Sequence, residues 1–334
     1  MDDELFLTQQ PFKFYIKKLE KKEESDFTKH KGWLIFIKGF PFDEGALLCN
    51  ERGGADRGPS VFRYALETSP FYPFEKIENL AIYDDGDVHS SSLTKESIPL
   101  SKAHEKLQGE SKDLLLLQNS VIFVIGGSND ASCASSIALF DAFPESKIGF
   151  ISIDPSFDVF SKLEEKITCK SASKYILEDE RFQKNKCKMI FFGTQGSQAS
   201  KNHYDFVRQK DTEVFWLEKN IRRYPTESSS HLKTQAGQLM EKIITKLANE
   251  VDFISVSIDL GVINSNSCQG LSSPSTVGGL SSHEMIEITE LVGRSKIVKS
   301  LNITEFNPAV ESKKTSHLIA EMFYHFCKGV SERQ

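Results

Sequence analysis

Short apolar runs, four to seven residues long and rich in β-branched or aromatic side chains, recur along this chain with helix-like stretches between them. Eight of them stand out, at 33–38, 80–83, 121–125, 148–153, 189–192, 214–217, 253–258 and 297–303. Several are apolar on both faces, which is what a strand buried in a parallel sheet requires. The segments between them follow a helical period. In 234–249 the residues Ala236, Leu239, Met240, Ile243, Ile244 and Leu247 form one stripe, and in 315–328 Leu318, Ile319, Met322, Phe323 and Phe326 form another. Gly329 follows as a C-cap. Strands alternating with amphipathic helices predict an α/β protein: a three-layer αβα fold around a mainly parallel sheet of about eight strands.

The 334 residues suffice for one large α/β domain, expected over 31–330, with 1–30 as an N-terminal extension. Polar loops are expected at 84–100 and at 264–279, and the second is long enough to act as a lid or binding loop. A net charge of −6, with no basic run interleaved with aromatics, offers nothing to nucleic acid. The first 26 residues are too charged for a signal-peptide core, and no apolar stretch reaches bilayer length. A cytoplasmic protein without a membrane partner is expected. Six cysteines without CxxC or CxxH spacing predict neither a zinc site nor a disulfide scaffold, and read as ordinary reduced residues.

In an open parallel sheet, ligands bind beyond the carboxyl ends of the strands, so the residues that follow each apolar run are the informative ones. Four such ends carry polar chemistry: Gly126-Gly127-Ser128-Asn129-Asp130, Asp154-Pro155-Ser156-Phe157-Asp158, Ser257-Ile258-Asp259-Leu260-Gly261 and Glu305-Phe306-Asn307-Pro308. In an extended segment Asp154, Ser156 and Asp158 face one way, while Pro155 and Phe157 face the other. Pro155 lacks an N–H, so the strand is expected to end there. Taken locally, Asp154 and Asp158 also read as a turn whose carboxylate caps the next helix, Asp259 as a buried carboxylate served by backbone donors, and Glu305 as half of a surface ion pair.

Taken together and in this order, the segments resemble the arginase, agmatinase and formimidoylglutamase superfamily. Residues 53–59 with Phe62-Arg63 resemble its early glycine-proline motif, and 124–130 its Gly-Gly-x-His strand end. Residues 154–158 resemble Asp-Ala-His-x-Asp, and 257–261 with the glycines of 270–280 resemble Ser-x-Asp-x-Asp and its glycine loop. Glu305-Phe306-Asn307-Pro308 resembles Glu-x-Asn-Pro. The Gly-Leu-Ser-Ser-Pro wording at 270–274 leans towards formimidoylglutamase, and the lack of any histidine between His104 and His203 disfavours arginase itself.

The resemblance implies two manganese ions that activate a bridging water for attack on an amidine or guanidine carbon. Matched position by position, Asp154, Asp158 and Asp259 keep ligand carboxylates. Asn129 and Ser156 stand where the family has histidines, and Gly261 replaces a fourth carboxylate. One subsite would then consist of Asn129, Asp154, Asp158 and Asp259, an all-oxygen set suited to a single Mn2+, Mg2+ or Ca2+. The other would keep only shared carboxylates, so the expected cofactor is one divalent cation or none rather than a two-manganese cluster. Glu305 matches the residue that receives a cationic substrate group.

Two functions follow as expectations: an inactive or strongly altered descendant that binds a small amidine or amino-acid ligand, or a hydrolase of linear amidine C–N bonds running on one ion. A variant of the second recruits Asp130. The sequence leaves the choice between monomer and homo-oligomer open.

Overall fold

Side chains of successive strand residues point to opposite faces, and here both sets are apolar. Leu34 and Phe36 lie in one core with Ile122, Val124 and Phe150, while Ile35 and Ile37 lie in a second with Val121, Phe123 and Ile151. Each face therefore needs its own cover of helices, and the computed structural model shows both. It describes residues 16–18, 27, 30–69, 79–88, 98–160, 166–223, 225, 233–273 and 276–333.

All eight expected strands form. They are β2 (Trp33–Phe40), β3 (Leu80–Asp87), β4 (Ser120–Gly126), β5 (Ile148–Ile153), β6 (Lys188–Thr194), β7 (Thr212–Trp216), β8 (Phe253–Asp259) and β9 (Val298–Thr304). A ninth, β1 (Ile16–Lys18), lies within the stretch expected as an extension and pairs with the edge of β3. The sheet order is β1-β3-β2-β4-β9-β8-β5-β6-β7, and every pairing is parallel.

Helices α1 (Gly58–Thr68), α2 (Leu100–Leu115), α3 (Asp130–Ala142), α4 (Ala172–Glu178), α5 (Lys201–Arg208), α6 (Gln235–Ala248), α7 (Ser282–Arg294) and α8 (Lys313–Ser331) flank the sheet. Apolar residues of α1, α6, α7 and α8 join the core of Ile35 and Phe123, and those of α2 to α5 join the core of Leu34 and Phe150. The result is three layers. Phe123 of β4 ties α1 to α8, with ring centroids 5.5 Å from Phe62 and 4.7 Å from Phe323.

Pro59 sits in the first turn of α1, where its missing N–H costs nothing. The Thr234 hydroxyl caps α6 by accepting from Gly237 N–H at 2.9 Å, and Ser281 with Glu284 forms a capping box on α7. One expected cap is corrected. Gly329 lies inside α8, which runs on to Ser331, and its backbone packs against α7, where an added Cβ would stand 2.2 Å from Glu290 O.

The expected loop at 84–100 is also shorter, because β3 continues to Asp87. Arg63 of α1 clamps that end, donating to Asp84 at 2.8 and 2.9 Å and to Asp87 at 2.5 Å. Most of the remainder, 89–97, lies outside the described residues, as do 274 and 275 of the second loop. Among the described residues no helix is long and apolar enough to cross a membrane.

Candidate functional site

The four polar strand ends belong to β4, β9, β8 and β5, which are consecutive in the sheet. Parallel strands put all their carboxyl ends on one edge, so residues far apart in sequence meet there. After β4 the chain threads closely: a Cβ on Gly127 would lie 2.0 Å from Phe42 O, a space only glycine fits. Asn129 then precedes α3, Asp154 follows β5, Asp259 ends β8, and Glu305 follows β9.

Carboxylate oxygens of Asp154, Asp158 and Asp259 lie within 4.8 Å of one another, all three residues buried. The amide of Asn129 donates to Asp158 Oδ2 at 2.5 Å and faces Asp154 Oδ2 at 3.4 Å. Its carbonyl oxygen, which sequence reasoning aimed at an ion, instead accepts from Thr304 Oγ1 at 2.8 Å. The positions matched to lost ligands also act as donors. Ser156 Oγ donates to Asp158 at 2.6 Å, Ser156 N–H to Asp154 at 2.6 Å, and Gly261 N–H to Asp259 at 2.6 Å. Phe157 turns the other way, edge-on to Phe191 and Trp216 in the opposite core, as the alternation requires.

Burial is the main cost of this arrangement, and mutual repulsion adds to it. Burial, with Asp158 and Asp259 alongside, holds the Asp154 carboxyl well above its usual range. Burial and Asp158 push Asp259 up to about 7. Glu305 is raised by burial, by Asp259 and by Glu51. Its Oε1 accepts from Asn129 N–H at 2.8 Å, while its Oε2 is buried without a hydrogen-bond partner. Glu305 and Asp158 both have left-handed backbones, φ 70° and 46°, a strain of about 1 to 3 kcal/mol each that the surrounding packing must sustain.

Two features escaped sequence reasoning. Cys169, expected to be ordinary, has its sulfur within 4.8 Å of carboxylate oxygens of both Glu51 and Glu305, and it donates to Glu51 at 3.6 Å. Beside it, Lys170 Nζ stands 2.8 Å from Glu51 Oε1. Asp130 is committed to other partners: it pairs with His104 Nε2 at 2.5 Å, accepts from Ser128 Oγ, and is fully buried. That pairing was invisible because His104 and Asp130 lie on different helices.

Residues 34–328 match the model of the arginase family. The chain belongs to the arginase family. Among its relatives, the formimidoylglutamase of Staphylococcus aureus strain bovine RF122 / ET3-1 is 26% identical over 301 residues, covering 88% of this chain and 86% of its own. The Trypanosoma cruzi formiminoglutamase solved with Mn2+2 superimposes with a TM-score of 0.78 at 27% identity, covering 95% of this chain and 97% of that one. A Bacillus subtilis formimidoylglutamase, 20% identical with a TM-score of 0.76, covers 90% and 88% and shares the fold.

In this arginase-family chain the Asn-Pro segment after β9 is a strut. Asn307, fully buried, donates to Gly53 O at 2.9 Å, Arg52 O at 3.2 Å and Ser272 Oγ at 3.2 Å, and accepts from Ala309 N–H at 3.0 Å. Arg52 in turn donates to the carbonyls of Leu271, Ser272 and Ser273 at 2.9 to 3.1 Å. The glycine-proline segment and the glycine loop are thus fastened through two side chains, Asn307 and Arg52. Replacing Asn307 with Ala leaves buried carbonyls unmatched and is expected to cost about 2 to 3 kcal/mol in urea unfolding; a variant as stable as wild type would show that the strut is redundant.

Proposed function

We propose that this chain is a small-ligand-binding member of the arginase family that does not carry out two-manganese hydrolysis, taking a cationic amidine or amino-acid group on Glu305. The observation that carries this reading is the donor character of the second subsite. Ser156 and Gly261 point an O–H and N–H groups at the aspartates, where a second ion needs acceptors. The residues present do not fit a binuclear cluster. Without ions to activate water the family's reaction forfeits several orders of magnitude in rate. Glu305 Oε2, buried and unpartnered, supports a cation-accepting role.

A second reading is favoured by one observation, the convergence of three aspartate carboxylates. Asp154, Asp158 and Asp259 have the donor chemistry for one Mn2+, Mg2+ or Ca2+, which would supply Lewis-acid activation for hydrolysis of a linear C–N bond.

Elemental analysis after incubation with excess Mn2+ and removal of free metal separates the two, combined with formimidoylglutamate as both substrate and binding probe. The first reading expects no more than one ion per chain, no turnover, and binding that Glu305→Gln weakens at least about tenfold. Turnover at one ion, abolished by Asp158→Asn or Asp259→Asn, would establish the second. Two ions with manganese-dependent turnover would overturn both.

A further inference from the structure

A second convergence at the strand-end edge uses none of the three aspartates. The Cys169 sulfur and carboxylate oxygens of Glu51 and Glu305 all lie within 4.8 Å of one another. Glu51 comes from the stretch between β2 and α1, Cys169 from the loop before α4, and Glu305 from just after β9, so no local spacing announces them. Each is fixed by its neighbours. Thr168 N–H donates to Ser171 Oγ at 2.9 Å, closing the turn that carries Cys169, and Cys169 N–H donates to Gly45 O at 3.4 Å. Lys170 Nζ takes Glu51 Oε1 at 2.8 Å, which leaves Oε2 to accept from the Cys169 thiol at 3.6 Å. Glu305 Oε1 accepts from Asn129 N–H, and its Oε2 has no hydrogen-bond partner in a residue only 1% exposed. A buried carboxylate oxygen without a donor is costly unless a cation completes it.

We propose that Glu51, Cys169 and Glu305 form a binding site for one thiophilic divalent cation, Zn2+ above all. A thiolate and two carboxylates are all zinc ligands. Around a tetrahedral ion with bonds of about 2.0 to 2.3 Å, ligand atoms stand about 3.3 to 3.8 Å apart, a spacing that Cys169 Sγ and Glu51 Oε2 already have. The sulfur sets this site apart from the all-oxygen aspartate cluster, which suits Mn2+, Mg2+ or Ca2+. On binding, the Cys169 S–H bond breaks, its proton leaves to solvent, and the sulfur electron pair goes to the metal. The charges then cancel, two carboxylates and a thiolate against the dication and the Lys170 ammonium. The inference goes beyond the functional reading and shares only Glu305 with it, a carboxylate for which the ion and a cationic ligand group would compete.

The test uses the full chain, reduced and stripped of metal with chelator, titrated with Co2+ as an optical probe and with Zn2+ against a chromophoric chelator. Co2+ is expected to give a near-ultraviolet sulfur-to-cobalt charge-transfer band, which the aspartates cannot produce. Cys169→Ser is expected to abolish that band and to weaken Zn2+ binding at least about 100-fold, and Glu51→Gln to weaken it at least about tenfold. Cys169→Ala serves should the Ser variant fail to fold. Asp158→Asn, which alters the aspartate cluster, and Cys49→Ser, which removes a thiol outside the triad, are expected to keep the band. A wild type without the band, a band that survives in folded Cys169→Ser or Cys169→Ala, or one lost in Cys49→Ser and not in Cys169→Ser would overturn the proposal. Formimidoylglutamate binding to the same metal-free protein answers separately for the functional reading. Zn2+ binding without it would leave this site standing and overturn that reading, and the reverse would do the opposite.

Discussion

In metal-free buffer the protein is expected to lose about 4 kcal/mol of stability or less as pH rises from about 4 to about 7, through Asp259 and the buried carboxyls coupled to it acting as one unit. Burial and Asp158 raise its carboxyl from 3.8 to about 7 in the folded state, and every tenfold weakening of an acid corresponds to about 1.4 kcal/mol. Between those two values the folded chain holds a proton that the unfolded chain has released. Stability therefore falls as pH rises, the reverse of the usual trend for a salt-bridged carboxylate. Asp154 and Glu305, both raised mainly by burial, act in the same direction.

Urea unfolding in chelator at pH 4.5, 6 and 7 checks this. Asp259→Asn is expected to flatten the decline and to be more stable than wild type at pH 7. Mn2+ should restore stability only where the aspartates are ionised, because a ligand bound by the folded state alone stabilises it in proportion to the logarithm of its concentration. A wild-type profile that is flat or rises over this range would mean that Asp259 is ionised with full compensation. A separate decline belongs to His325 of α8. Its ring is lowered by burial but raised on balance by Glu290 and Glu321, reaching about 9, so its contribution is present below pH 6.5 and lost towards pH 9. Asp259→Asn should leave that later phase unchanged.

Gly329→Val is expected to cost about 3 kcal/mol or more. At the crossing of α7 and α8, a Cβ on Gly329 would lie 2.2 Å from Glu290 O and 2.9 Å from Arg294 N, while one on Gly293 would lie 2.4 Å from Phe326 O. The obstacles are backbone atoms, which cannot rotate aside. The helices must separate, which pulls Phe323 and Phe326 out of contact with Phe123 and adds lost dispersion to the overpacking strain. Gly109 in α2 provides the contrast: it is exposed and has nothing within 4 Å of a new Cβ, so Gly109→Ala should gain up to about 1 kcal/mol. Similar unfolding midpoints for Gly329→Val and wild type would mean that the helices can slide apart freely.

Why Gly329 misled is instructive. A glycine after the last apolar residue of a helical stripe looks the same whether it ends the helix or admits a neighbouring backbone, and only the partner helix tells them apart. The strands were legible for the opposite reason. A parallel strand covered on both faces must be largely apolar on both, so Val121–Ile125 or Ile148–Ile153, with Ser152 as its one polar residue, announces itself without reference to anything else in the chain. β1 did not, being three residues long at an edge.

At the site, the residues Asn129, Asp154, Ser156, Asp158, Asp259, Gly261 and Glu305 were legible as a group, because a strand end is a position and sequence order carries position. Orientation was not. The Asn129 amide is turned by Thr304, a residue whose relevance depends on β9 lying beside β4. Lys170 was hidden for the same reason: a lysine in a loop reads as a solvated charge until its partner in space, Glu51, is known.

The place of β9 has a consequence for the order in which this molecule can assemble. Strands β1 to β4 form one side of the sheet and β5 to β8 the other, and in the strand order the two meet only through β9, which pairs with β4 along one edge and β8 along the other. A chain growing from its amino end can fold each side into a partial sheet, but the two have no ladder in common until residues near 300 are made. The strand made last is the keystone. Each half must wait with an open, apolar edge, the condition under which folding is slow and association with other unfinished chains is favoured. A chain stopped short of β9 would hold every aspartate of the site and still not bring Asn129 to them.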